Sequence, residues 1–280
     1  MLSQTARLRV NVLVLAFVAE WIEQVLHESV HAVAALAVGK RLLGVNFWAV
    51  NHDWAPGASA STWAEAVVEG SAALVNIACG LACAMAFRHL QSRPMLRLFV
   101  FYFGAYSLFA GFGYLMVDPL FANADSAGDW AKIVMLLGGG WGVRALIIAV
   151  GAAGTLWGFY WVGGSAQQFA WGDPSDRRSR LRTGLTLCVL PYVFVSAVLS
   201  PLVAWHPAGP AGVVVTLMKL WFGFIGFFWG FMIVYVFAPY RAPPGPLTPL
   251  PFDVGRAGLA ALAVALLLTP VLLRTWELFP

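Results

Sequence analysis

The sequence has few charged residues, and this shortage excludes a water-soluble protein. Of its 280 residues, 11% are charged and 60% are hydrophobic, and the mean hydropathy is +0.78. Soluble domains carry about 25% charged residues, so a soluble protein of this composition could not cover its surface with polar groups. A bilayer removes that requirement. The composition therefore predicts an integral membrane protein.

Cysteine and histidine are also scarce. The three cysteines, Cys79, Cys83 and Cys188, form no Cys-x-x-Cys pair, and the first two lie in an apolar stretch where small packing residues are typical. Five histidines are too few for the membrane di-iron hydroxylases, which use about eight histidine ligands. The glycine-rich run at 138–142 lacks the Gly-Lys-Ser/Thr ending of a phosphate-binding loop.

Basic charge is modest and spread over short loops, with a net charge of +4. In a membrane protein such loops set orientation, so we expect no nucleic-acid partner. One side of the predicted topology receives most of the arginines: Arg7, Arg9, Arg88, Arg93, Arg97, Arg177, Arg178, Arg180, Arg182, Arg241 and Arg256. We therefore expect that side, with the N-terminus, to be cytoplasmic, and the protein to lie in a plasma membrane.

Seven apolar stretches reach the roughly 20 residues that a membrane span requires. They are about Val10–Val38, Ala64–Phe87, Leu96–Val117, Trp130–Val162, Leu185–Ala204, Val213–Phe237 and Ala257–Leu273. Because glycines at 138–140 interrupt the fourth, we expect an all-α polytopic membrane protein with six to seven transmembrane helices. The segment Leu43–Val50 fits a strand or small hairpin after the first span. The proline-rich linker Ala238–Arg256 predicts extended chain.

The first span contains a His-Glu-x-x-His motif, His27-Glu28-Ser29-Val30-His31. Residues four apart share one helix face, so both imidazoles can reach one metal ion, and Glu28 lies beside it as a general base for a metal-bound water. A chance match is the alternative. A charged group at membrane depth costs about 2.5–3.5 kcal/mol, however, and a bound cation offsets that cost. The motif therefore favours a metal site.

Two further acids, Glu20 and Glu23, lie on the same face as His27. They fit hydrogen-bond partners behind the histidines, and equally well residues that line a water-filled cavity or fix helix packing. A hydrolytic zinc site also needs a third protein ligand. The loop after the third span offers Asp118, Asp125 and Asp129, on the side to which the histidine end of the first span points. A helix cap or turn is the alternative role for each aspartate.

These features resemble the site-2 protease family of intramembrane metalloproteases, over about residues 10–140. The family's second motif, roughly Gly-Pro-x-x-Asn, corresponds to residues 72–76 and keeps only Asn76. Its third motif, usually Leu-Asp-Gly, corresponds to Gly128-Asp129-Trp130 and keeps only Asp129. Only the first motif is specific. The family's site usually lies toward the cytoplasm, whereas the loop charges place this one toward the outer face.

The resemblance implies a zinc-dependent intramembrane endopeptidase that cleaves membrane-embedded segments of other proteins. In that reading His27, His31 and Asp129 hold zinc, with Asp125 as the next choice of third ligand, and Glu28 is catalytic. Asn76, Glu23 and Asp125 are candidates for supporting the ligands or contacting substrate.

The resemblance also implies a metalloprotease-like membrane core over residues 1–165, followed by additional transmembrane helices over 166–280. A non-proteolytic transporter or assembly factor that uses the same polar patch is the alternative.

Overall fold

The computed structural model describes residues 3–57, 61–122, 128–171, 173, 175–238, 247–251, 255–274 and 276–277. Within these, seven helices are long and apolar enough to cross a membrane: span one (Gln4–Ala37), span two (Thr62–Phe87), span three (Pro94–Phe121), span four (Trp141–Ala166), span five (Arg177–Trp205), span six (Gly209–Phe237) and span seven (Gly255–Leu272). The predicted all-α polytopic membrane fold is confirmed, and every span overlaps its predicted stretch.

Three spans change their helical winding along their length. Span three is α-helical over Pro94–Val117 and ends in a 3-10 turn, Asp118–Phe121. Span five combines α-helix (Arg177–Gly184), π-helix (Leu185–Val189), α-helix (Leu190–Leu199) and a 3-10 turn (Ser200–Trp205). Span six combines α-helix (Gly209–Met218), π-helix (Lys219–Gly223), α-helix (Gly226–Phe231) and π-helix (Met232–Phe237). The π-helical turns change which residues face the protein interior.

The predicted break in the fourth apolar stretch separates two helices. A short helix, Asp129–Leu136, precedes the glycines, and span four begins at Trp141. Gly138 and Gly139 have φ values of 90° and 70°, the left-handed conformation that ends helices and that glycine adopts without a steric penalty. The short helix is therefore separate from span four, and its first residue is Asp129.

A β-hairpin follows span one, as the apolar segment Leu43–Val50 predicted. Strand β1 (Lys40–Asn46) pairs antiparallel with β2 (Ala49–Trp54). The short strand Trp276–Glu277 pairs antiparallel with the other edge of β1, so β1 is the central strand of this sheet. A second small sheet pairs Phe169–Ala170 with Thr248–Pro249 in parallel. The rest of the proline-rich linker lies largely outside the described residues.

Spans one and three are the most buried helices and form the centre of the bundle. Spans two and three approach closely because glycines face their contact: a Cβ at Gly80 would come within 2.5 Å of Leu108, and one at Gly111 within 2.8 Å of the Ala73 carbonyl oxygen. Such small residues are typical of helix contacts in membranes. The close contact holds span two, and with it Asn76, against the middle of the bundle.

Candidate metal centre

The His-Glu-x-x-His motif lies inside span one, and both histidines are buried. The Nε2 atoms of His27 and His31 lie 3.3 Å apart. Asp129, the first residue of the short helix after span three, brings its Oδ2 to 3.0 Å from His31 Nε2 and 3.5 Å from His27 Nε2. These three residues are therefore brought together, with one ligand atom of each pointing at a common centre.

The hydrogen bond behind His31 fixes which of its nitrogens faces that centre. His31 Nδ1 lies 2.9 Å from the Val68 carbonyl oxygen, which can only accept, so Nδ1 carries a proton. In the neutral imidazole Nε2 then presents a lone pair to the Asp129 carboxylate, which presents another. Two acceptors 3.0 Å apart need a cation between them, either a proton or a metal ion.

The spacing of the three ligand atoms suits a metal ion. Zinc binds imidazole nitrogen and carboxylate oxygen at about 2.0–2.2 Å, and a tetrahedron of that size has edges of about 3.3–3.6 Å. The observed separations of 3.0, 3.3 and 3.5 Å lie close to that range. Two histidines and one carboxylate are also the ligand set of hydrolytic zinc sites. The residues present therefore fit zinc.

Asp129 is held in place by Asp118 at the end of span three. Asp118 Oδ2 accepts a hydrogen bond from the Trp130 backbone N–H (3.1 Å), and Gly128 packs directly on the Asp118 carboxyl group, where a Cβ would come within 2.8 Å. Asp118 therefore supports the turn that presents Asp129. Burial opposes ionisation of Asp129, but the His31 and His27 imidazoles outweigh it and hold its pKa below the usual value. Asp125 lies outside the described residues.

Behind His27, span two contributes the predicted Asn76. The Asn76 amide lies 3.0 Å from His27 Nδ1, and its Nδ2 donates to Glu23 Oε1 (2.6 Å). The same Nδ2 contacts both groups, so an amide reversed to present its oxygen to His27 would also set that oxygen against the Glu23 carboxylate. Tyr114 of span three stacks on the His27 ring at 5.2 Å. The His27 ring is thus held on two sides.

Glu28 lines the same cavity as the three ligands. This cavity has a volume of about 360 Å³, and the hairpin covers it through Trp48 and the residues from Ala49 to His52. Glu28 Oε1 accepts a hydrogen bond from Gln24 Nε2 (2.9 Å), which also donates to the Phe47 carbonyl oxygen (3.1 Å). The general-base candidate is therefore oriented by its own helix and by the hairpin.

Several residues at the site were not expected from the sequence. The position of Glu69 near the start of span two predicts a residue at the membrane interface. Instead, Glu69 lines the cavity and forms an ion pair with Lys132 at 3.0 Å. Lys219 of span six reaches Glu23 and Gln24. Gln24 belongs to no motif recognised in the sequence. Ionisable or amide side chains inside apolar spans are the one signal that could have indicated Gln24 and Lys219.

Comparisons of the chain with family models, with curated proteins and with solved structures return no match.

Proposed function

We propose that this protein is a zinc-dependent intramembrane endopeptidase, a divergent relative of the site-2 proteases. The observation that carries the proposal is the convergence of His27, His31 and Asp129, in which the Val68 carbonyl leaves the His31 Nε2 lone pair facing a carboxylate. Its setting inside a bundle of seven apolar helices supports a membrane-embedded substrate. The loop arginines support an orientation with the N-terminus in the cytoplasm, and we propose a plasma membrane as the location.

The chain's own residues would divide the work of peptide hydrolysis. His27, His31 and Asp129 would hold a zinc ion, which would supply polarisation of the scissile carbonyl and a lowered pKa of a bound water. Glu28, held by Gln24, would take the proton from that water and give it to the leaving amine. The hairpin and the ends of spans five and six would limit bulk water around the reacting groups, since residues from Trp48 to His52, with His206 and Thr216, line the cavity.

A membrane-protein substrate would reach this cavity as a locally unwound segment from the bilayer. In a helix the backbone carbonyl and N–H groups are paired within the segment, so an attack on a peptide bond requires local unwinding. The cavity has room for a short stretch of extended chain beside Glu28.

Glu28→Gln tests the proposed chemistry directly. The substitution keeps the size of the side chain and removes the base, so we expect zinc to stay bound and turnover to fall about 100- to 10,000-fold. The readout is the set of new protein termini inside transmembrane segments, compared by mass spectrometry between membranes that contain the wild type and membranes that contain Glu28→Gln. Identical sets of termini would contradict proteolysis.

One observation favours the alternative, a transporter or assembly factor. Glu20 is completely buried beside Glu23 and near Lys219, whose ammonium group donates to Glu23, so two acidic groups and one ammonium group lie together inside the membrane. Such groups are typical of ion and proton pathways. Metal analysis of the purified protein separates the two functions: about one zinc per chain supports the peptidase, and its absence supports the alternative.

A further inference from the structure

Lys219 places a positive charge inside an otherwise apolar part of span six. Its side chain is buried, and Nζ donates to Glu23 Oε2 (2.9 Å) and to Gln24 Oε1 (2.7 Å), both in span one. A lysine at membrane depth is costly and is retained where it has a function. The contacts join residues almost 200 positions apart in the sequence. Lys219 therefore ties the second half of the chain to the helix that carries the metal ligands.

The backbone at Lys219 is wound to aim the side chain inward. Residues Lys219–Gly223 form a π-helical turn, closed by a hydrogen bond from the Phe224 N–H to the Lys219 carbonyl oxygen (3.1 Å). A π-helical turn is rare, and it often marks a functional site because it shifts the register of the side chains. The neighbouring Leu220 is completely buried in the apolar core, so the turn directs adjacent residues into different environments.

Two hydrogen-bonded chains start at the Lys219 ammonium group. In the first, Glu23 accepts from Lys219 through Oε2 and from Asn76 through Oε1, and the Asn76 amide lies against His27 Nδ1. In the second, Gln24 accepts from Lys219 and donates to Glu28. One chain ends at a metal ligand and the other ends at the general base.

We propose that Lys219 is a positioning residue of the metal centre, which holds His27 through Glu23 and Asn76 and holds Glu28 through Gln24. This inference rests on the proposed function. Removal of the ammonium group leaves the buried Glu23 carboxylate without its charge partner and Gln24 without one of its anchors. Groups behind a metal ligand fix its orientation, and their loss typically weakens metal binding about 10- to 100-fold.

The experiment titrates purified full-length protein in detergent with Co²⁺ and records the visible absorption of the bound ion. We expect Lys219→Met, which keeps the length of the side chain, to bind Co²⁺ about 10- to 100-fold more weakly than the wild type and to change the shape of the spectrum. Leu220→Ala is the matched control, because it loosens the same turn without touching the network. Its melting temperature should fall while its Co²⁺ affinity and spectrum stay those of the wild type.

A second variant keeps the test decisive if Lys219→Met does not fold. Glu23→Gln keeps the shape of the side chain and removes the charge that Lys219 pairs with, and we expect the same direction of change in Co²⁺ affinity. Wild-type affinity and spectrum in Lys219→Met or Glu23→Gln would overturn the inference. Equal weakening in Leu220→Ala would also overturn it. A wild type that binds no Co²⁺ would instead refute the metal centre, and with it the proposed function.

Discussion

Two buried polar clusters in this bundle differ in whether the protein itself pairs all of their hydrogen-bonding and charged groups. Arg97 is completely buried, and its guanidinium group donates to the Phe87 carbonyl oxygen, Thr248 Oγ1 and Gln168 Oε1 and lies 4.2 Å from the centre of the Phe87 ring. Every contact there pairs a donor with an acceptor or a cation with an aromatic ring. At His27, His31 and Asp129 the ligand atoms converge on one another.

The contrast separates a structural role from the functional role that we propose. The Arg97 cluster is complete without any further group, and it joins span three to the small sheet of Phe169–Ala170 and Thr248–Pro249. The histidine cluster opens onto a cavity and is complete only with a cation. Both clusters bear the cost of burying polar groups in an apolar bundle, but only the second leaves room for a ligand.

The largest expected effect would come from removing a ligand of the second cluster. We expect His31→Ala to lose stoichiometric zinc, since two remaining ligands do not hold the ion tightly. Metal analysis of the protein purified in detergent provides the measurement. His89→Ala, which changes an exposed histidine at the end of span two, is the control and should keep the wild-type zinc content. Equal zinc content in both variants would show that the histidine cluster, like the Arg97 cluster, binds no metal ion.

The second-largest expected effect concerns the Arg97 cluster. Arg97→Met removes a donor from the Phe87 carbonyl oxygen, from Thr248 Oγ1 and from the partly buried Gln168 Oε1, and an unsatisfied buried group costs about 1–3 kcal/mol. We expect the free energy of unfolding to fall by about 3 kcal/mol while zinc content is unchanged. Denaturant unfolding in mixed micelles measures the first quantity. Arg93→Met, at an exposed arginine just before span three, should stay within about 0.5 kcal/mol of the wild type.

Sequence patterns predicted what depends on neighbours in the chain. The seven apolar stretches, the glycine break at 138–140 and the hairpin after span one are local features, and the structure confirms them. The spacing of His27 and His31 predicted their shared face, because four residues make about one helical turn. The residues alone left three aspartates, Asp118, Asp125 and Asp129, as candidates for the third ligand, and only the family resemblance favoured Asp129, since the choice depends on how the loop after span three folds back.

The partners of the site depend on contacts between distant helices. Nothing in the local sequence of Gln24 or Lys219 indicates that their side chains meet across 195 residues. No sequence motif indicates the π-helical turn that directs Lys219 inward. Arg97 was expected among the basic residues of a cytoplasmic loop, and it is instead completely buried, because aromatic rings and neutral acceptors from three other segments surround it.

The smallest expected effect concerns His52, whose surroundings are intermediate between the two clusters. His52 lines the cavity, and its Nδ1 accepts a hydrogen bond from Lys40 Nζ (3.2 Å). Partial burial and the charge of Lys40 lower the pKa of His52 from 6.5 to about 4. Between these values the unfolded chain binds more protons than the folded protein, so the folded state loses stability as the pH falls.

Removal of this histidine should therefore flatten the pH dependence of stability. We expect the melting temperature of the wild type to fall between pH 7.5 and pH 5, and the fall to be smaller in His52→Gln, which has no imidazole to protonate. His89→Gln should follow the wild type. A fall of the same size in all three proteins would mean that protonation of His52 costs the folded state nothing, so that this edge of the cavity accepts a positive charge as readily as water does. The Lys40 ammonium would then have to move away from the hairpin, since two cations 3.2 Å apart repel each other strongly.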